Sequence, residues 1–176
     1  MRKCFLIIGL LAVAISAGAQ INFREGGFNK ALEAAKAENK LVFMDCYTSW
    51  CGPCKMLASK VFPQKEAGDY FNPRFVSLKM DMEKGEGVAL SKKYDVNAYP
   101  TLLILDANGE LLCRYAGYLE VDKLIAFAEN GTKGGGLTEM HKRYAAGERS
   151  MDFISDYLTL LDDAAMSGTL FAVADD

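Results

Sequence analysis

The chain has 176 residues, 51% of them hydrophobic and 24% charged, enough for one domain with an ordinary core and unlike the make-up of a disordered segment. Its net charge of −3, with no basic run longer than pairs such as Lys92-Lys93, excludes a polyanion-binding surface and with it a nucleic-acid partner.

The first element is an export signal. Arg2-Lys3 precedes an apolar run from Cys4 to Ala17, and Ala17-Gly18-Ala19 supplies small residues for cleavage after Ala19, so residues 1–19 read as a signal peptide. The run is several residues short of the roughly 20 that span a bilayer, so no stable membrane span is expected after cleavage. The expected location is the periplasm or another exported compartment. Loss of Arg2 and Lys3 leaves 18 basic against 23 acidic side chains, a charge of −5. Cys4 leaves too, and Cys46, Cys51, Cys54 and Cys113 remain.

A domain over residues 20–130 follows. Ala31, Leu32 and Ala35 recur at helical spacing between Phe28 and Asn39, which predicts a helix. The run Leu41–Cys46 (LVFMDC) is short and apolar, the pattern of a buried strand, and Trp50-Cys51-Gly52-Pro53-Cys54 follows it. Helical pieces are expected over Lys55–Lys60 and Gln64–Phe71, a strand over Phe75–Met80 and a short helix over Val88–Tyr94. Thr101–Asp106 and Glu110–Tyr115 flank Asn108-Gly109, a strong hairpin signal. Val121, Leu124, Ile125 and Ala128 mark a last helix, expected to stop at Gly131. Strands alternating with helices and ending in a hairpin predict an α/β fold, a mixed sheet with helices on both faces.

Residues 131–136 (GTKGGG) read as a flexible linker. Beyond it, residues 137–176 read as a helical hairpin: Leu137, Met140 and Tyr144 share one face, Gly147 turns the chain, and Ser150 caps a helix bearing Phe153, Ile154, Tyr157, Leu158 and Leu161. One such hairpin cannot bury its own apolar face. It packs on the preceding domain, docks a protein partner, or begins a longer array, and the abrupt TLFAVADD leaves truncation open. With the linker freeing it, the hairpin is expected to set partner choice, and its deletion to leave chemistry nearly unchanged.

The spacing of Cys51 and Cys54 allows metal ligation, a structural disulfide, or a redox pair. Zinc needs further ligands, and with no second C-x-x-C and a lone histidine, His141, no metal site is expected. A bridge over so short a loop constrains little chain. A redox pair fits best. Cys51 falls at the entry to a helix, where unpaired N–H groups and the macrodipole favour a thiolate, and Pro53 is tolerated in a first turn. Cys54 lies one turn on, so that an exposed attacking thiol and a shielded resolving one stand within bonding range.

From about Phe28 to Asn130 the chain resembles the thioredoxin family, on WCGPC, Asp45 six residues before Cys51, Tyr99-Pro100-Thr101 and Gly117. The leading helix and ALEAAKAENK are similar to exported members such as the C-terminal domain of the interchange reductase DsbD. The resemblance implies a thioredoxin-like three-layer fold with no cofactor beyond a redox-active Cys51–Cys54 disulfide. It implies Cys51 as the nucleophile and Cys54 as the resolving thiol. Pro100 would be cis, leaving Tyr99 backbone groups to pair with an extended substrate, and Trp50, Gly52 and Pro53 would complete the substrate-binding face. Lys79 matches a family lysine near the acid, where the alternative is a solvated strand lysine. Asp45 is either solvated or, inside LVFMDC, buried with a raised pKa and able to act as base toward Cys54. Cys46 and Cys113 lie outside the motif and read as small buried residues, with a second bridge or a regulatory thiol as alternatives. The implied activity is a protein-disulfide reductase, with protein disulfide substrates and an upstream dithiol electron donor as partners. The alternatives are an oxidase or isomerase, or a binding module whose C-terminal helices recruit a partner.

Overall fold

A computed structural model describes residues 20–132 and 136–163. Residues 1–19, expected to be a signal peptide, the middle of the Gly-rich segment and residues 164–176 lie outside the described residues. Helix α1 (Phe28–Glu38) leads into β1 (Leu41–Tyr47), then α2 (Gly52–Met56) continues through a π-helical turn (Leu57–Val61) to α3 (Lys65–Arg74). There follow β2 (Phe75–Asp81), α4 (Gly87–Lys93), β3 (Thr101–Leu105), β4 (Leu111–Ala116), α5 (Val121–Thr132), α6 (Gly136–Ala145) and α7 (Met151–Asp163). Among the described residues no helix is long and apolar enough to cross a membrane.

The sheet order is β2-β1-β3-β4. β1 pairs parallel with β2 and antiparallel with β3, and β3 pairs antiparallel with β4. β1 is central because its apolar residues serve both faces. Phe43 points to one core with Leu102, Ile104, Leu124 and Phe127; Val42, Met44 and Cys46 point to the other with Ala31, Ala35, Leu78 and Leu90. Helices therefore cover both faces, and the mixed three-layer fold matches the expectation.

Several details differ. The segment before α1 was not expected to take part in the sheet, yet Phe23 bridges Ser77 and Ile21 N–H donates to the Phe62 carbonyl at 2.9 Å. α5 does not stop at Gly131. A Cβ there would fall 1.9 Å from Cys113 Sγ, so this glycine answers to packing inside the helix and not to a C-terminal cap.

Nor is the hairpin held off on a free linker. Residues 131–132 are helical, and α6 starts at Gly136 so close to β4 that a Cβ would sit 2.4 Å from the Leu112 carbonyl oxygen. Met140, Phe153, Tyr157, Leu160 and Leu161 are buried in the same core as Phe43 and Leu102. An apolar stripe finds the nearest apolar surface, and β4 offers one in Leu112 and the buried Cys113.

Candidate active site

Cys51 ends the loop after β1 and is the N-cap of α2, with extended backbone at φ −68° and ψ 111°. Its sulfur accepts the Cys54 N–H at 3.1 Å, so one of the helix's unpaired donors points at Cys51 Sγ. Pro53 stands in the first turn, where no donor is needed. Cys51 and Cys54 are joined as a disulfide with Cα atoms 5.4 Å apart. The expectation of one exposed and one shielded cysteine is corrected for this form, since both residues are only 3% exposed. Access comes from neighbours: Gly52 and Pro53 are exposed, and a Cβ at Gly52 would meet nothing within 4 Å.

An aromatic wall stands beside the pair. Trp50 is 65% exposed, its Nε1–H donates to both Glu83 carboxylate oxygens at 3.0 Å, and its ring meets Tyr99 edge-on at 6.0 Å. The Tyr99–Pro100 peptide is cis, and the Pro100 carbonyl accepts the Gly117 N–H at 2.8 Å. Trp50, Gly52, Pro53, Tyr99 and Pro100 thus share one side of the molecule with Cys51. Glu83 escaped the sequence reading, because nothing in DMEKGEG marks one acid out from its neighbours.

The strand that leads into the site carries a buried acid. Asp45 and Lys79 are register partners across β1 and β2, and Lys79 Nζ donates to Asp45 Oδ2 at 2.5 Å. Asp45 is fully buried, and its Oδ1 has no hydrogen-bond partner among the described residues. Burial pushes its carboxyl above the usual carboxylate range, against the lowering pull of the Lys79 ammonium. The Lys79 ammonium sits 4.9 to 5.3 Å from the ring centres of Phe62, Phe23 and Tyr47. A cavity of about 190 Å³ lined by Tyr47, Thr48, Ser49, Cys54, Lys55, Ala58 and Lys79 gives Cys54 and Lys79 a common wall.

The other two thiols are apart from this chemistry and from each other. Cys46 and Cys113 belong to cores on opposite faces of the sheet, so no bridge joins them. Burial, with Asp45 adding to it, pushes the Cys46 thiol well up and leaves it a poor nucleophile. His141 lies on α6 with its ring edge-on to Tyr157 at 5.3 Å, in the hairpin.

The thioredoxin-like domain family matches residues 28–132 of this chain. The chain belongs to the thioredoxin-like family. A solved structure of a candidate disulphide-isomerase from Bacteroides thetaiotaomicron is 50% identical, covers 68% of this chain and 98% of that one, and superposes with a TM-score of 0.61. Protein disulfide-isomerase 1 of Dictyostelium discoideum is 33% identical over 74% of this chain, which spans only 36% of that longer protein. The oxidised DsbD C-terminal domain of Neisseria meningitidis is 26% identical, with 58% of this chain and 90% of that one covered and a TM-score of 0.50. The two solved structures share the fold described above, and the disulfide pair stands here as Cys51 and Cys54.

Proposed function

We propose that the protein is an exported thiol–disulfide oxidoreductase that reduces protein disulfides. The observation that carries this reading is the Cys51–Cys54 pair at a helix entry, with Cys54 sharing a cavity wall with Lys79, the partner of the buried Asp45. In the reduced form the Cys51 thiolate attacks one sulfur of a substrate disulfide, forming a mixed disulfide and expelling the other sulfur as a thiolate that takes up a proton. Cys54 then loses its proton to the Asp45 carboxylate, and its thiolate attacks Cys51 Sγ. The second substrate thiol leaves, two electrons have passed to the substrate, and the Cys51–Cys54 disulfide remains. An upstream dithiol donor then reduces this disulfide back to the Cys51 and Cys54 thiols and is itself oxidised to a disulfide. Trp50 and the Tyr99–Pro100 edge receive the substrate chain, and Lys79 holds the acid in place.

The basic n-region, apolar run and small-residue cleavage site support export, with the mature chain starting near Gln20. Gly52-Pro53 between the cysteines supports reduction, since thioredoxin, which shares that dipeptide, has a potential of about −270 mV against about −120 mV for a strong exported oxidant. Relatives named as isomerases favour a second reading, in which the same pair reshuffles disulfides. The reduction potential of Cys51–Cys54 together with its state in the cell separates the two. A potential within roughly 30 mV of thioredoxin's and a reduced pair in the cell support the reductase. A potential near the isomerase value of about −180 mV with a largely oxidised pair would displace it.

A further inference from the structure

Arg114 is a buried charge that the dithiol chemistry does not use. It sits in β4 opposite Leu103 and is 5% exposed. Among the described residues it forms no ion pair with a carboxylate. A cation taken out of water needs compensation, and here carbonyls supply it. Nη1 donates to the Tyr94 carbonyl at 3.2 Å and Nη2 to the Asp95 carbonyl at 3.0 Å, while Nε has no partner among the described residues. Tyr94 is the C-cap of α4, so the guanidinium meets the negative end of that helix.

These two carbonyls begin the segment that ends in Tyr99 and Pro100. The backbone turns sharply at Asp95, whose φ of +50° lies in the left-handed region that non-glycine residues seldom adopt. Asn97 and Ala98 are exposed. At the far end the Gly117 N–H holds the Pro100 carbonyl at 2.8 Å. β4 therefore grips this segment twice, by Arg114 at its start and by the backbone just past the strand at its end. A bidentate guanidinium fork fixes orientation as well as distance, which a lysine ammonium cannot do.

We propose that Arg114 is a positioning residue that fixes the Tyr94–Pro100 segment, and so places the Tyr99–Pro100 edge where an extended protein substrate must dock beside Cys51. The proposal rests on the reading that this edge receives substrate. A small disulfide needs only Cys51, whereas a protein disulfide needs the edge as well, so the two substrates report different things.

The test compares single-turnover rates of the reduced protein with insulin and with 5,5′-dithiobis(2-nitrobenzoate). Arg114→Met should lower the insulin rate by about tenfold or more, roughly 1.4 kcal/mol of barrier, and keep the small-disulfide rate within about twofold. Arg114→Lys, with its charge kept and its fork lost, should fall between. Equal loss on both substrates, or loss on neither, overturns the proposal. Should Arg114→Met lose its near-ultraviolet circular dichroism, Arg114→Lys decides by the same ratio. Pro100→Ala separates the two layers of the argument. If it leaves the insulin-to-small-disulfide ratio unchanged, the substrate-edge reading fails and takes the proposal with it. If it lowers the ratio while both Arg114 variants do not, the edge reading stands and the role of Arg114 is refuted.

Discussion

At the scale of single residues the chemistry turns on Asp45, a wholly buried acid with one oxygen on Lys79 and the other without a donor among the described residues. Burial raises its pKa above the unfolded value near 4, so the folded protein binds the proton more tightly. The stability from that proton is fully present below the unfolded pKa and is lost as pH rises through the folded one. Asp45→Asn removes this loss. Lys79, with 30% of its side chain exposed, can then turn to water. The variant should therefore exceed the parent in stability at pH 8 by on the order of 1 kcal/mol, a rise of roughly 2–4 °C in Tm, and the gap should close toward pH 4. Urea denaturation at the two pH values checks it; an equal difference at both would contradict it. The same variant should slow resolution of the mixed disulfide by about tenfold or more, and lose the inflection by which the parent's rate rises as Asp45 ionises. Burial of Asp45 was legible only as one of two alternatives, because an acid near a strand end is usually solvated while the apolar run LVFMDC argues the other way. Its pairing with Lys79 depends on the register of two strands 34 residues apart, which periodicity does not encode and only the family resemblance supplied. Arg114 was missed for the same reason, since an arginine between Cys113 and Tyr115 looks like an ordinary edge-strand cation.

At the scale of elements, apolar periodicity and turn chemistry located α1, the strands and the β3–β4 hairpin to within a residue or two, because each is set by its own side chains. The two glycine signals misled. Gly131 looks like a helix stop, yet α5 runs past it because Cys113 Sγ occupies the space a side chain would need. Gly131→Ala should then destabilise the protein by about 1–3 kcal/mol in spite of alanine's better helix propensity. Trimming the opposing sulfur should restore part of the loss, so that Gly131→Ala with Cys113→Ala is milder than the sum of the single changes. Chemical denaturation of the four proteins measures this coupling, and strict additivity would contradict the packing argument.

The whole molecule is a redox domain whose β4 flank is closed by α6 and α7. Composition and the linker-like GTKGGG suggested a detachable hairpin, because glycine content signals freedom while the contacts that remove it lie across the fold. Tyr157 and Leu161 are fully buried in the core that also holds Phe43 and Ile104. Truncating one large buried side chain costs about 3–5 kcal/mol, so Tyr157→Ala alone should take a large share of a stability of ordinary size. Removing residues 133–176 should expose β4 and lower the urea midpoint far more than any loss of activity measured on the fraction still folded. A truncated chain with the parent's midpoint would restore the detachable hairpin.

The most direct test of the redox assignment is a trapping experiment on the Cys54→Ser protein, in which resolution is blocked. Incubated with disulfide-bonded proteins of its own compartment, it should accumulate covalent adducts that a reductant releases, with mass spectrometry placing every link on Cys51 and parallel Cys51→Ser protein trapping none. Adducts at Cys46 or Cys113, or full insulin reduction by Cys51→Ser, would contradict the account.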